Sequence, residues 1–481
     1  MLLPRSSPAA QGISSRSIGA LLDWFEERAV EGHSVMVVRH GHVVAEGWWT
    51  PYSAGRPTLL YSMTKSFTAM AAGLVISDGL LALDDRVVDV LPDHVPDDVS
   101  EQGRRITVHH LLSMTVGHGE DSLYEAWERE PGDLVKGFLR VPFPQTEGRQ
   151  FVYDNATTFL LARMVERVSG RDLPDLLDER LFRPMGIDHA EWDRVASGKA
   201  FGFHGLHLTT EAVAAFGELL LRGGRWGDRQ LIPREWVDLA TRAHSDVPPA
   251  EDDSARGYGY QFWIAENGFY AFGAFGQSCV VIPSLDLVVA VTSHDTLPSS
   301  MPDAVWNRLA PGIGHPGSER DDEILAERLR RLSFPLVTGS AEPGRSATAT
   351  IVDAPDSALP AGSPVLVEPV VGGWRLSLGP IRGLGPIRAL ESIRALGPIR
   401  GLEAGHGEWR ESAPLGRPVV ASGAWQGDTF VAQIFVITTP HWVRLVVDGD
   451  TATATWSIVP LTKPDLALHL RAPLMTRPDV A

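Results

Sequence analysis

The sequence is poor in several features, and each scarcity excludes a class of structure. Its 481 residues include a single cysteine, Cys279, which rules out an internal disulfide framework and a thiolate zinc cluster. No stretch approaches the roughly 18 consecutive apolar residues of a membrane helix, and the N-terminus lacks the apolar run of a signal peptide. We therefore expect a cytoplasmic protein with no membrane partner.

Basic residues are outnumbered, and lysine is rare among them. The chain has 43 Lys and Arg against 60 Asp and Glu, a net charge of −17 that repels phosphate backbones, so we expect no nucleic-acid partner. Because a buried lysine can lose its proton whereas an arginine cannot, each lysine is a candidate base. Only four of the basic residues are lysines: Lys65, Lys136, Lys199 and Lys463.

The length and the hydrophobic pattern predict two domains. Strand patterns at residues 34–49 and 258–293 enclose a block of helical patterns, which predicts a sheet built from both ends of a domain with a helical lobe against it. A Gly- and Pro-rich stretch at residues 311–322 is typical of a linker, and mostly strand-like patterns follow. We predict an α/β domain over residues 1–318 and a small all-β, barrel-like domain over residues 319–481.

An internal repeat lies within the predicted β domain. Four near-identical hexapeptides, of the type Gly-Pro-Ile-Arg-Gly-Leu, fill residues 379–402. One hexapeptide is too short to form a stacking unit, so the repeat predicts an expanded loop between two strands rather than a solenoid. A basic partner-binding loop is the alternative.

A candidate nucleophile and base lie at the start of the first long helical pattern. In Ser62-Met63-Thr64-Lys65, positions i and i+3 share a helix face, so the hydroxyl and the amine can meet. A serine hydroxyl needs a base beside it, and a lysine serves when burial lowers its pKa. The helix N-terminus would add backbone N–H groups where an oxyanion forms.

A second candidate element, Tyr153-Asp154-Asn155, precedes another helical pattern. A phenol near a lysine can pass protons between nucleophile and leaving group, and an Asn can hydrogen-bond the lysine. The structural alternative is an aromatic residue that covers the helix end and an Asn that caps it.

These motifs resemble the penicillin-recognising serine hydrolases, which comprise class C β-lactamases, esterase and D-peptidase relatives, and 6-aminohexanoate-dimer hydrolases. The resemblance rests on Tyr-Ser-Met-Thr-Lys-Ser-Phe at residues 61–67, Tyr-Asp-Asn at 153–155 and Gly-Ala-Phe-Gly-Gln at 273–277, and it covers residues 8–312. Further similar segments lie at residues 111–118, 181–187, 205–210 and 257–263.

The resemblance implies a mixed antiparallel sheet with a helical lobe, an active site at their junction and no cofactor. It implies that Ser62 is the acylated nucleophile, Lys65 its base and Tyr153 a proton relay. The N–H groups of Ser62 and Ala274 would form the oxyanion hole. The residues that would bind or orient the substrate are Asn155, Gly273, Ala274, Phe275, Gly276 and Gln277.

One segment departs from the family pattern. The family commonly has Lys-Thr-Gly or His-x-Gly on the strand that lines the site, and this chain has Ala271-Phe272-Gly273. The missing cation helps to hold the carboxylate of penicillins and peptide C-termini. We therefore expect ester or amide hydrolysis of a small-molecule or peptide substrate without an obligatory carboxylate, or with a carboxylate that an arginine elsewhere meets.

Three alternatives stay open. An acyl transferase or peptide cyclase of the penicillin-binding-protein-type thioesterase kind would pass the acyl group to an amine. A β-lactamase or D-peptidase would hydrolyse substrates that carry a carboxylate. A penicilloyl-binding sensor would be labelled once without turnover. The sequence does not indicate an oligomeric state.

Histidine clusters suggest metal sites, but none has a closed ligand set at the usual spacing, so we expect no metal. The clusters are His109-His110, His118 with Glu120 and Asp121, and His204 with His207.

Overall fold

The computed structural model describes residues 1–195, 198–248, 255–295, 300–379, 399–461 and 464–471. Among these residues, contacts divide the chain into two compact units. The first contains Met1–Trp49 and Ser53–Leu332, and the second contains Thr50–Tyr52 and residues 333–471.

The first unit contains thirteen α-helices among its described residues. They are α1 Ser15–Glu27, α2 Thr64–Ser77, α3 Val87–Val90, α4 Val108–Ser113, α5 Leu123–Arg129, α6 Leu134–Arg140, α7 Asn155–Ser169, α8 Leu173–Leu177, α9 Arg183–Met185, α10 Thr210–Leu221, α11 Arg234–Ala240, α12 Met301–Leu309 and α13 Glu319–Arg330.

The strands of the first unit are β1 Glu31–Arg39, β2 His42–Trp48, β3 Thr58–Leu59, β4 Glu191–Trp192, β5 Leu206–Leu208, β6 Arg225–Trp226, β7 Arg229–Gln230, β8 Gly257–Tyr258, β9 Trp263–Ala265, β10 Gly268–Gly273, β11 Gln277–Ile282 and β12 Leu287–His294. The main sheet of this unit is antiparallel and has the order β2-β1-β12-β11-β10-β9-β8. The predicted sheet with strands from both ends of the domain is confirmed.

The sheet is covered on both faces by helices, which explains the apolar runs in its strands. One face packs with α2, α7 and α10 in the larger core, and the other packs with α1, α12 and α13. Helix α2 is buried along nearly its whole length, so its sequence lacks a polar face. A fully buried helix beside the sheet is a rigid support for the residues at its start.

Helix α13 belongs to the first unit. Its Leu325 and Leu329 are buried in the core that contains α1, and Arg328 Nη1 and Nη2 donate to Asp23 (2.6 Å) and Glu26 (2.9 Å) of α1. The predicted domain boundary at residues 318/319 precedes this helix, whereas the division in the structure follows Leu332. The Gly- and Pro-rich stretch before the helix signals a turn in the chain, and the apolar face of the helix decides the unit to which it belongs.

The second unit is a closed β-barrel followed by the short helix α14 Leu466–His469. Its strands are β13 Ala347–Ile351, β14 Pro364–Val370, β15 Gly373–Leu378, β16 Ile399–Gly405, β17 Arg410–Ser412, β18 Val419–Gln426, β19 Thr429–Phe435, β20 Trp442–Asp448 and β21 Thr451–Trp456. Eight of them form the ring in the order β16-β15-β14-β13-β21-β20-β19-β18, which closes through a β16–β18 pair, and β17 pairs with β18 outside the ring. The pairs β13–β21 and β16–β18 are parallel.

The barrel confirms the predicted all-β, barrel-like fold of the C-terminal region. The repeat at residues 379–402 lies mostly outside the described residues, although its last residues, from Ile399 onward, belong to β16. Throughout the described part of the chain, every helix is too short or too polar to cross a membrane.

Candidate active site

The candidate nucleophile lies on a short turn that leads into α2. Ser62 is the middle residue of the 3₁₀ turn Tyr61–Met63, and Lys65 lies in the first turn of the helix. Tyr61 has a left-handed backbone (φ 49°), which is unfavourable for an aromatic residue and typical of functional sites. The Lys65 Nζ and Ser62 Oγ atoms are 2.9 Å apart, so the predicted meeting of amine and hydroxyl is present in the structure.

Lys65 is buried, with 1% of its surface exposed. Its Nζ donates to Ser62 Oγ, to Asn155 Oδ1 at 2.7 Å and to the Phe203 carbonyl oxygen at 3.1 Å. Burial lowers the pKa of Lys65 to about 7, although the negative charges of Asp121 and Asp154 act in the opposite direction. Near neutral pH, a substantial fraction of this lysine is therefore uncharged.

The three acceptors around Nζ decide where its lone pair points once it loses a proton. An ammonium has three donors, and a neutral amine has two donors and one lone pair. The Phe203 carbonyl and the Asn155 Oδ1 atom can only accept, whereas the Ser62 hydroxyl can also donate. The neutral amine therefore keeps its two donors on Phe203 and Asn155 and directs its lone pair at Ser62.

Tyr153 lies against both members of this pair. Lys65 Nζ is 4.9 Å from the centroid of the Tyr153 ring, and the phenol shares a hydrogen bond with the Ser62 side chain. The ring stacks on Trp263, with centroids 5.6 Å apart and an interplanar angle of 12°. Burial raises the pKa of Tyr153, and the bond to Ser62 opposes that effect. The phenol is thus held in its protonated form next to the hydroxyl.

The N-terminus of α7 is capped by the carboxylate of Asp154. Asp154 caps the helix through the N–H of Ala156, and its other oxygen accepts from His118 Nδ1 and Ser122 Oγ, both at 2.8 Å. The cap is therefore Asp154 and not Asn155, whose side chain turns to Lys65 instead.

Strand β10 ends beside the turn that carries Ser62. A Cβ on Gly273 would lie 1.9 Å from the Leu60 carbonyl oxygen, so only glycine permits this approach. The chain then turns through Phe275 (φ 65°) and Gly276 (φ 84°), and the Phe275 ring contacts the Tyr61 ring with centroids 5.0 Å apart. The segment at residues 273–276 and the turn that carries Ser62 are therefore in direct contact.

Gln277 has a supporting position. It is fully buried, and its Nε2 donates to the carbonyl oxygens of Ala274 (3.3 Å), Phe275 (3.0 Å) and Ser293 (2.7 Å). Its amide nitrogen therefore holds the shape of the turn that contains Ala274, and the predicted role of Gln277 in binding or orienting the substrate stays a prediction.

Sequence reasoning missed several residues that complete the site. Asp121, which entered the sequence reasoning only as a metal candidate, accepts from both the backbone and the side chain of Asn155. Phe203 contributes a backbone carbonyl, which leaves no residue-type signal in a sequence. Trp263 supports Tyr153, and its place within the family-like segment at residues 257–263 was the available hint.

Metal-binding geometry is not found among the residues that the structure describes: no three or more His, Cys, Asp and Glu side chains are grouped to hold an ion. His118 instead contacts Asp154, and His207 Nε2 lies 3.2 Å from Asp193 Oδ2.

Comparisons with known proteins find similar sequences and a family model. The family model described as Beta-lactamase matches residues 17–311. The 6-aminohexanoate-dimer hydrolase of Paenarthrobacter ureafaciens is 23% identical over 337 residues, which cover 64% of this chain and 84% of that protein. Esterase EstB of Burkholderia gladioli is 30% identical over 209 residues, which cover 37% of this chain and 53% of that protein.

A solved structure shares the fold. The structure titled "EstCE1, a hydrolase with promiscuous acyltransferase activity" matches with a TM-score of 0.51 at 19% identity, over 60% of this chain and 97% of that chain. The resemblance seen in the sequence is therefore confirmed at the level of family and fold, and the named relatives are hydrolases.

Proposed function

This chain belongs to the β-lactamase family, and on that premise we propose that it hydrolyses a carboxylic ester or amide through an acyl-enzyme on Ser62. The observation that carries the proposal is the buried Lys65 amine, 2.9 Å from Ser62 Oγ, with its pKa lowered to about 7. An amine with this pKa is near the optimum for a general base at neutral pH.

In the acylation step, neutral Lys65 takes the Ser62 proton while Oγ attacks the carbonyl carbon of the substrate. The carbonyl electrons move to oxygen, and the N–H groups of Ser62 and Ala274 stabilise that oxyanion. The tetrahedral intermediate collapses and the bond to the leaving group breaks. Tyr153 gives its proton to the departing oxygen or nitrogen and takes in its place the proton that Lys65 received from Ser62. Water then attacks the carbonyl carbon of the acyl-enzyme, and the bond between this carbon and Ser62 Oγ breaks. One proton of the water reaches Oγ through Lys65 and Tyr153, and the acid and free Ser62 are released.

The strand that lines the site favours uncharged substrates. Ala271 is buried and Phe272 is half-buried on β10. Relatives with a cationic side chain at this place would hold a carboxylate there. We expect esters and amides with apolar acyl groups to be better substrates than penicillins or peptides that end in a free carboxylate.

The test is turnover of a p-nitrophenyl ester by wild type and by Ser62→Ala. We expect wild type to hydrolyse the ester and to acquire one covalent adduct on Ser62 from a fluorophosphonate probe, mapped by mass spectrometry. Equal turnover by Ser62→Ala would refute the proposal. A labelled protein that never turns over would identify a sensor, and an amide product formed with an added amine would identify acyl transfer.

A further inference from the structure

The amide of Asn155 has only one orientation that satisfies its neighbours. Its Oδ1 accepts from Lys65 Nζ at 2.7 Å, and its Nδ2 donates to Asp121 Oδ2 at 2.5 Å. The Lys65 ammonium only donates and an ionised carboxylate only accepts, so a flipped amide would place donor against donor and acceptor against acceptor. When Lys65 is neutral, a flipped amide would still place its acceptor oxygen against Asp121 Oδ2. Asp121 thereby determines which end of the Asn155 amide faces Lys65.

Asp121 is itself fixed. Its Oδ1 accepts from the backbone N–H of Asn155 at 3.1 Å and from the backbone N–H of Leu123, the first residue of α5, at 3.2 Å. The two carboxylate oxygens thus accept three hydrogen bonds in total, and Asp121 connects the starts of α5 and α7. Burial and the nearby Asp154 charge raise the pKa of Asp121, and these three hydrogen bonds oppose that effect because they favour the ionised carboxylate.

We propose that Asp121 is a positioning residue which, through the Asn155 amide, keeps the Lys65 amine directed at Ser62. This inference rests on the proposed function, because it assigns a role within the same reaction. Asp121 touches neither Ser62 nor any reacting atom of the proposed mechanism, and it acts only through Asn155 and through its charge.

The charge of Asp121 has a separate effect on Lys65. The titratable groups that face or adjoin the amine are Asp121, Asp154 with its partner His118, Tyr153, and His204 next to Phe203. Asp121 and Asp154 raise the pKa of Lys65 against the larger effect of burial. Removal of the Asp121 charge should therefore make Lys65 lose its proton at lower pH.

The experiment is the pH profile of kcat/KM for a p-nitrophenyl ester in wild type, Asp121→Asn and Glu120→Gln. For Asp121→Asn we expect kcat/KM to fall about 10- to 100-fold, the cost of disturbing a hydrogen bond to a charged group. We also expect the acid limb of the profile to move to lower pH by about one unit. Glu120→Gln removes the same charge from the exposed neighbouring residue, and we expect it to change neither quantity.

Asp121→Glu separates charge from position. It keeps the carboxylate but displaces it, so we expect a lower kcat/KM with the acid limb at the wild-type pH. In a background of Asn155→Ala, the further loss caused by Asp121→Asn should be small, because the two residues act in series. Melting curves within a few degrees of wild type verify that each variant is folded.

Two results would overturn the inference while leaving the proposed function intact. One is wild-type kcat/KM and an unmoved acid limb in folded Asp121→Asn. The other is an Asp121→Glu profile displaced as far as that of Asp121→Asn. Failure of the proposed function itself is recognised separately, by Ser62→Ala retaining ester turnover.

Discussion

At the scale of single residues, protonation and therefore pH decide whether Lys65 has a lone pair to offer Ser62. Lys65 must be neutral to accept the Ser62 proton, and its pKa is lowered to about 7. We expect kcat/KM to rise about tenfold per pH unit below that value and to level off above it. Lys65→Arg keeps the charge but cannot be deprotonated, so its activity should stay near that of Ser62→Ala at every pH. A profile that is flat between pH 5 and 8 in wild type would contradict this prediction.

Tyr153 offers a second test at this scale. Tyr153→Phe removes the phenol but keeps the ring that stacks on Trp263, so we expect the fold to be retained. The loss of a positioned proton donor should lower kcat by about 10²- to 10⁴-fold. A good leaving group, such as p-nitrophenolate, needs less help from a proton donor than an alkoxide does. Tyr153→Phe should therefore lower kcat less for the p-nitrophenyl ester than for an alkyl ester. Equal losses for the two esters would argue against proton delivery by Tyr153.

The sequence predicted those residues of the site that have distinctive side chains and lie a few positions apart in the chain. Ser62 and Lys65 come together because a helical turn fixes the distance between i and i+3. Asp121 and Phe203 escaped prediction for a different reason. Their contacts join segments far apart in the chain, and the Phe203 carbonyl would be present in any residue at that position.

At the scale of elements, the approach of β10 to the Ser62 turn depends on the absence of a side chain. In Gly273→Ala the new Cβ would lie 1.9 Å from the Leu60 carbonyl oxygen, so the strand and the turn must separate. We expect a loss of at least about 2 kcal/mol in the free energy of unfolding and a fall in kcat/KM of tenfold or more. Gly132→Ala is the matched control, since nothing lies within 4 Å of its Cβ position. Urea unfolding and ester turnover measure both effects.

Element type was predictable where hydrophobic periodicity was strong. The strand pattern predicted at residues 34–49 corresponds to the hairpin of β1 and β2, which turns at His40 and Gly41, both with positive φ. Helix ends were less predictable. The sequence predicted Ser62 at the start of a helix, whereas α2 begins at Thr64 and Ser62 lies in the separate 3₁₀ turn Tyr61–Met63 before it.

At the scale of the whole molecule, the division of the chain predicts how truncations behave. A chain that ends at Leu332 keeps α13, whereas one that ends at Ser318 loses the buried Leu325 and Leu329 and the pairs of Arg328. Each buried leucine contributes about 1.5–3 kcal/mol, so the shorter chain should melt well below the longer one. Both chains carry Tyr52→Ser, because the Tyr52 ring packs in the core of the second unit. Equal melting temperatures would contradict the assignment of α13 to the first unit.

The sheet of the first unit also has a consequence for how the protein is made. Strand β1 pairs with β12, so residues 31–39 must wait for residues 287–294 to emerge from the ribosome. At about 5–20 residues per second, that delay is on the order of tens of seconds. During it, one edge of the run Val35-Met36-Val37-Val38 stays unpaired, and an open apolar strand edge is a template for association with other nascent chains. We therefore expect chaperones that cover β1 until its distant partner arrives to raise the yield of folded protein in a cell.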